Sequence, residues 1–391
     1  MAEWIECSIG DLCSTISDTY KGKDEYVVLV NTSDVLEGKV LNHETVANKN
    51  LKGQFKKTFK RDDILYSEIR PANKRFAYID FENTSNYIAS TKLMVLRHNE
   101  KVLPEYLFAL LKSNYVIAEL QHLAETRSGT FPQITFSSEL APMKVFLPDK
   151  DTQIRIVSIL SSIEQKIDKN NEINNNLEQQ AQAVYYKMFS EVNTVPVELS
   201  SIIDVRDGTH DSPKAQATGY YLITSKHLLP FGVDKASANH ISKADFDKIN
   251  ERSLVETQDI LMSMIGTIGL ISYIPYETVD FAIKNVALFK TSHTPELSYY
   301  FLCYLKSEKT LQHIGKCLAG STQKYISLGE LRKMPIYSPT TNEIREFNCL
   351  VKPMFEKIES RTYENALLAE MRDSLLPKLM SGELDVSDIE L

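Results

Sequence analysis

The tetrapeptide Lys187-Met188-Phe189-Ser190 returns near the end of the chain as Lys378-Leu379-Met380-Ser381, 191 positions on. The same offset carries Glu139 onto Glu330, Leu140 onto Leu331 and Pro148 onto Pro339, within SSELAPMKVFLP and LGELRKMPIYSP. Further upstream RDDILYSEI is answered by TQDILMSMI (Asp63 with Asp259, Ser67 with Ser263) and YLFALLKS by YFLCYLKS (Lys112 with Lys306), the offset drifting as loop insertions require. A period of this size is too long for a solenoid of stacked small repeats, so it means two duplicated domains. Each unit consists of a variable stretch of mixed character followed by a stretch with helical periodicity.

In the helical stretches apolar residues recur at steps of three and four. The first seam reads Ile156, Leu160, Ile163, Ile167, Leu177, Ala181, Val184 and Met188; the second reads Phe347, Val351, Met354, Ile358, Leu368, Arg372, Leu375 and Leu379. Sustained three-four spacing marks a helix that packs along its length on another helix, and each stretch is the other's obvious partner. Both seams turn polar midway, at Asn170 and Asn174 in the first and at Arg361 and Asn365 in the second. Polar midpoints coincide if the helices run antiparallel, where a buried polar layer would fix register; a solvated break at that place is the alternative. Start signals stand at Pro148 with Asp149 and Asp151, and at Pro339 with a Thr340-to-Glu343 capping box. Pro377 is expected to kink or end the second helix before Ser381 and Gly382.

With 43% hydrophobic and 25% charged residues in 391, the chain has material for two ordinary cores. MAEWIECSIG lacks the pattern of a secretory leader, no apolar run reaches membrane-spanning length, and a cytoplasmic location is expected. Cys7, Cys13, Cys303, Cys317 and Cys349 form no CxxC pair, so neither a disulfide framework nor a metal site is expected. A net charge of −8 disfavours a surface that grips nucleic acid everywhere but leaves room for basic patches. The densest are Lys52, Lys56, Lys57, Lys60 and Arg61, then Arg70, Lys74 and Arg75; solvated faces are the alternative reading. No phosphate loop, GxGxxG, HExxH or GxSxG occurs. Asp34, Glu37 and Lys39 in DVLEGK form too common a pattern to argue a nuclease. Asp207, His210 and Asp211 in RDGTHDSP read as a rigid turn in preference to a metal site.

The order of variable domain, long helix, variable domain and long helix, together with DGTHDSP, ITSK, DILMSMIGTIG, FLPDKDTQIRIV and LLPKLMSGEL, resembles the specificity subunit of a type I restriction-modification enzyme along essentially the whole chain. The resemblance implies an α+β fold of two duplicated target-recognition domains (residues 1–147 and 193–338). Two long helices (148–192, and 339–391 with the C-terminal tail) would form an antiparallel coiled coil in a circular pseudo-twofold arrangement. SGELDVSDIEL echoes SEVNTVPVELS, so the tail is expected beside the N-terminus. Each domain would read half of a split site in double-stranded DNA, and the coiled coil would act as spacer and as dock for two modification subunits. The chain itself would bind no cofactor: the modification subunits would bring S-adenosylmethionine for adenine methylation, and restriction subunits ATP and Mg for translocation and cleavage. About 36 helical residues span roughly 54 Å, more than the 34 to 36 Å of one DNA turn.

Base reading needs donors and acceptors on loops. In the first domain Arg70, Lys74 and Arg75 and then Arg127, Ser128, Thr130 and Gln133 are favoured. In the second the matching loop offers Ser321, Thr322, Gln323, Lys324 and Tyr325, joined by Thr209, His210, Lys214 and Lys226. The Asp-Ile-Leu runs are read as strands that anchor the fold. DTYKGKDEY lacks the DGTHDSP pattern, which leaves DNA contact there open. Two other functions compete: a two-headed scaffold for protein or sugar ligands, and a stand-alone DNA-modifying enzyme.

Overall fold

The computed structural model describes residues 4–49, 51, 53–126, 132–190, 195–319 and 325–387. The chain divides into two compact units, Met1–Ile167 with Leu367–Leu391, and Asp168–Ala366. Each unit therefore holds one variable domain and one half of each long helix.

In the first domain β1 (Trp4–Ser8), β2 (Cys13–Ile16) and β3 (Tyr26–Val30) precede a short hairpin, β4 (Val35–Leu36) with β5 (Lys39–Val40). Then come β6 (Thr45–Ala47), β7 (Phe55–Lys57), β8 (Ile64–Ser67), β9 (Phe76–Tyr78), β10 (Tyr87–Ser90) and β11 (Leu93–His98). Helices α1 (Pro104–Leu111) and α2 (Asn114–Thr126) and strand β12 (Lys144–Pro148) lead into α3 (Lys150–Phe189). Strands order as β2-β11-β8-β9 and β6-β3-β10-β7, with β3 and β10 parallel, and β1 pairs antiparallel with β12. The central strand β8 is buried on both faces, as its continuous Ile-Leu-Tyr run requires.

The second domain repeats this plan. It contains β13 (Val197–Glu198), β14 (Val205–Asp207), β15 (Tyr220–Ile223), β16 (Asn239–Ile241), α4 (Lys243–Ser253), β17 (Ile260–Ser263), β18 (Ile271–Tyr273), β19 (Phe281–Ile283) and β20 (Val286–Phe289). After α5 (Ser298–Leu305), α6 (Glu308–Ala319), α7 (Leu328–Arg332) and β21 (Pro335–Ile336), the chain enters α8 (Thr341–Ser381). Its sheets order as β14-β20-β17-β18 and β16-β15-β19, with β15 and β19 parallel and β13 paired to β21. Strand by strand this is the first domain without β7 and without the β4–β5 hairpin. Each domain thus closes its first strand on its last, immediately before a long helix. The helical run after each sheet breaks at Ser113 and Ser307, whose hydroxyls accept from the backbone N–H groups of Val116 and Thr310.

Asp149 Oδ1 accepts from Thr152 N at 2.9 Å to start α3. The Thr340–Glu343 capping box starts α8, with Thr340 N on Glu343 Oε2 at 2.7 Å and Glu343 N on Thr340 Oγ1 at 3.3 Å. The helices pair antiparallel. In the first unit Ile156 and Leu160 share a core with Leu376, Leu379 and Met380, with Leu375 packed against it. In the second, Ala181, Tyr185 and Phe189 share a core with Ile344, Phe347, Val351, Phe355 and Ile358, with Leu177, Val184, Met188 and Met354 at its edge. Fully burying each such side chain is worth about 1.5–3 kcal/mol. Ile163 is buried, while Ile167 and Leu368 are half-buried.

The polar midpoint forms a hydrogen-bonded layer in which Asn170 is buried and the rest are half-buried or exposed. Asn170, 1% exposed, donates to Glu364 Oε2 at 2.8 Å and Asn365 Oδ1 at 2.9 Å, and Asn365 donates to Asn171 Oδ1 at 2.8 Å. Asn174 adds a 3.5 Å contact to Thr362 Oγ1. Glu364 and Thr362 supply partners that the seam did not predict.

Of the two outcomes expected at Pro377, a kink or an end, the end does not occur there: the helix continues to Ser381. Burial of Leu379 and Met380 offsets the hydrogen bond that the proline ring forfeits. The stop comes at Gly382, at φ +74°, with Leu384 N donating back to Lys378 O at 3.1 Å. Gly382 lies under the Trp4 indole, so close that a Cβ there would sit 2.7 Å from it. The tail therefore packs beside the N-terminus of the first domain. Among the described residues no helix is long and apolar enough to cross a membrane.

Candidate nucleic-acid interface

In the second domain, β14 ends at Asp207 and the chain turns back through Gly208-Thr209-His210. Thr209 N donates to Ile283 O at 3.0 Å, and Asn285 N returns a bond to Thr209 O at 3.1 Å. Asn285 holds φ +54° to make that possible, and a Cβ on Gly208 would meet Ile283 O at 2.3 Å. Only glycine admits this approach.

The imidazole of His210 is set between Asp207 Oδ2 at 3.0 Å and Asn285 Oδ1 at 2.8 Å. From α4, Arg252 clamps the other carboxylate oxygen of Asp207 and donates to the carbonyls of Asp207 at 3.1 Å and Gly208 at 3.3 Å. Lys284 Nζ donates to Ser212 Oγ at 2.5 Å. Both oxygens of Asp207 are thereby engaged, and the motif is the rigid turn that its composition suggested. It borders an open cleft of about 480 Å³ that also takes in Lys248. His210 and Lys214 are exposed and Thr209 is half-buried. Lys226 is exposed on a short turn whose next residue, His227, is buried and accepts from Thr224 N through Nδ1 at 3.0 Å. Burial, then the neighbouring Lys226 charge, holds the His227 imidazole below its ordinary value.

In the first domain, Arg70 and Lys74, at φ +47° and +51°, flank a turn through Pro71–Asn73. Ala72 N donates to Gln121 Oε1 of α2 at 3.0 Å, fixing the turn on the helix. Arg70 is exposed, and Lys74 pairs with Glu37 at 3.5 Å. Arg75 is half-buried and donates to Ser33 O at 3.0 Å and Val35 O at 3.3 Å, where it braces the β4–β5 hairpin.

A second platform is common to both domains. Ile134 N donates to Glu68 O at 2.8 Å beside a Gln133–Ile69 bridge; Ile326 N donates to Met264 O at 3.1 Å beside a Tyr325–Ile265 bridge. The segment after α2 or α6 is thus tied to the stretch following the Asp-Ile-Leu strand, with Gln133 and Tyr325 exposed at the junction. Arg127, Ser128 and Thr130, and likewise Ser321, Thr322, Gln323 and Lys324, lie outside the described residues. Exposed donors on such pinned turns can reach phosphate oxygens and base edges.

Sequence reasoning missed Asn285, which holds His210, Arg252, which holds Asp207, Lys284, which donates to Ser212, and Lys248, which lines the cleft. No spacing signal marks them. Asn285 alone could have been suspected, as an asparagine between two strand runs. It also missed the cations that answer the Asp-Ile-Leu aspartates, Arg97 for Asp63 and Lys290 for Asp259. Side chains able to hold a metal lie elsewhere in the second domain, at His313, Cys317 and Glu330.

The chain is similar to the crystallised HsdS subunit from Thermoanaerobacter tengcongensis, at 18% identity over 97% of each chain with a TM-score of 0.41. It is 24% identical to the MjaIX specificity subunit of Methanocaldococcus jannaschii, over 74% of this chain and 71% of that one. To the HindI specificity subunit of Haemophilus influenzae it is 32% identical, over 98% of this chain and all of the relative. The sequence profile of the type I restriction modification DNA specificity domain matches residues 1–179 and again 192–358. Two matches that together span most of the chain, one per repeat, place it in the type I restriction-modification DNA specificity family.

Proposed function

We propose that this chain is the sequence-reading subunit of a type I restriction-modification complex. Each domain recognises one half of a bipartite site in double-stranded DNA. The antiparallel helices set the separation of the halves and receive two modification subunits. The chemistry belongs to the partners: S-adenosylmethionine with the modification subunits, ATP and Mg with the restriction subunits. This chain supplies hydrogen-bonding groups on pinned turns and no catalytic residue.

The observation that carries this reading is the duplication itself. Two domains of one topology each present exposed polar groups at a segment tied to the same strand, and their loops differ in sequence while their frames agree. That is what a reader of two different half-sites requires. The chain's acidic balance fits a division of labour in which the modification subunits neutralise most of the phosphate charge.

The test is to replace residues 1–147 with the matching stretch of a relative of different specificity and to map methylated sites with the modification subunits present. One half of the site is expected to change while the other half and the spacing stay. A change in both halves sinks the modular reading.

A further inference from the structure

Three side chains of different chemistry converge in the second domain away from the turns described above. His313 and Cys317 stand one turn apart on the same face of α6, and Glu330 comes from α7. A ring nitrogen, the Sγ atom and a carboxylate oxygen all lie within 4.8 Å of one another. Cys317 Sγ is 3.4 Å from Glu330 Oε2. Zinc–sulfur and zinc–oxygen bonds of about 2.3 and 2.1 Å at a tetrahedral angle put those two atoms roughly 3.5 Å apart, so this edge of a zinc polyhedron is already in place.

His313 Nε2–H donates to the main-chain carbonyl of Glu330 at 3.3 Å. A carbonyl can only accept, which fixes the tautomer with the lone pair on Nδ1; metal-bound imidazoles are commonly oriented by such an outer contact. Ser327 Oγ accepts from Glu330 N at 3.2 Å and holds the start of α7. In this contact the Cys317 thiol donates to the Glu330 carboxylate, so a single proton occupies the place where a cation would bridge thiolate and carboxylate.

We propose that His313, Cys317 and Glu330 form a zinc site, with water in the fourth position. Binding displaces the thiol proton to solvent and forms the S–Zn bond, so no oxidant or reductant is needed. Thiolate, imidazole and carboxylate together favour zinc over magnesium or calcium, which take oxygen ligands. The duplication supplies an internal control. The positions 191 earlier are His122, Thr126 and Glu139, with threonine where the thiol would be. Thr126 Oγ1 donates to Leu123 O, and Glu139 Oε2 accepts from the backbone and hydroxyl of Thr135. The site therefore belongs to the second domain only. It joins the helices on either side of residues 320–324, so on the DNA-reading function proposed above it would steady one half-site reader and leave the other unaffected.

The full untagged chain is stripped with a chelator and titrated with zinc alone. One equivalent is expected, with affinity about tenfold or more weaker in Cys317→Ser and in His313→Ala. On the unmutated chain, zinc is expected to slow alkylation of Cys317 at least tenfold while exposed Cys349 reacts at an unchanged rate. Absence of stoichiometric binding, binding indifferent to Cys317→Ser, or equal protection of both cysteines would overturn the site. Chelation is further expected to weaken recognition of the second half-site alone. A chain that binds zinc in this way yet reads no DNA would keep the metal site and refute the proposed function.

Discussion

The two domains answer one structural demand with different residues. In the first, Asp63 is fully buried and takes both arms of Arg97, at 2.7 Å each, while the arginine keeps 29% of its side chain in solvent. In the second, the topologically equivalent pair is Asp259 with Lys290, at 2.6 Å, and the lysine is only 1% exposed. Lys290 needs a second carboxylate, Glu256 at 2.7 Å, and the Leu254 carbonyl at 3.1 Å to satisfy its ammonium. An arginine fork matches a carboxylate and can still reach water; a lysine at the same place has to be enclosed. The frame conserves the charge and leaves its solvation to the local loop.

The largest expected effect separates the two solutions. Asp259→Ala takes the enclosed partner from an ammonium with 1% exposure, leaving it Glu256 and the Leu254 carbonyl, and also removes the acceptor of Glu256 N and Ser292 N, so a loss of about 3–5 kcal/mol is expected. Asp63→Ala leaves a guanidinium that can turn to solvent, so about 1–3 kcal/mol is expected. Urea unfolding of both variants ranks them, and an equal or larger cost at Asp63 would dismiss the enclosure argument.

Next comes the turn that follows β2 or β14. Gly208→Ala drives a Cβ against the Ile283 carbonyl, a main-chain atom that cannot step aside. Overpacking of this kind costs about 1–3 kcal/mol, and the displaced His210 should take recognition of the second half-site with it. The first domain makes the corresponding turn with exposed Thr19, bridged to Lys57. Thr19→Ala should change stability by no more than about 0.5 kcal/mol. Methylation mapping beside thermal unfolding reads both variants; an unaffected second half-site in Gly208→Ala would show that the turn is not part of the reader.

This comparison also explains what was legible beforehand. The repeat, both helix starts and the anchoring role of the Asp-Ile-Leu strands could be read because each is a local pattern present twice. Of the seam, Ile156, Leu160, Phe347, Val351 and Leu379 are buried. At the end of α3, however, the buried line runs through Tyr185 and Phe189, with Val184 and Met188 only at its edge. Tyr300 of α5 meets Phe189 at 5.0 Å between ring centroids, and Phe347 of α8 meets it at 5.4 Å. Periodicity reports one packing partner and is blind to a third element. Arg75 was grouped with Arg70 by proximity in sequence, yet its donors serve the chain's own carbonyls. Composition shows that cations are present and is silent on which of them the fold consumes.

The smallest expected effect concerns the junction between each domain and the long helices. In the first unit Lys112, at the end of α1, pairs with Glu164 of α3; in the second Lys306, at the end of α5, pairs with Glu178 of α3. The second junction adds Glu359 of α8, which accepts from the Tyr299 hydroxyl at 3.1 Å. Burial chiefly, with the Glu356 charge adding to it against the Tyr299 hydrogen bond, raises the Glu359 carboxyl above the ordinary glutamate value of 4.5. The native state then holds this proton more tightly than the unfolded chain. Its contribution to stability is complete below 4.5 and is lost as pH rises through the folded value. Glu359→Gln keeps an acceptor for Tyr299 and cannot ionise. Its unfolding midpoint should match the parent's below 4.5 and exceed it at neutrality. A variant that is less stable than the parent at neutral pH, or whose difference grows as pH falls, would show that Glu359 is held as a carboxylate and that the second junction needs its charge, as the first needs that of Glu164.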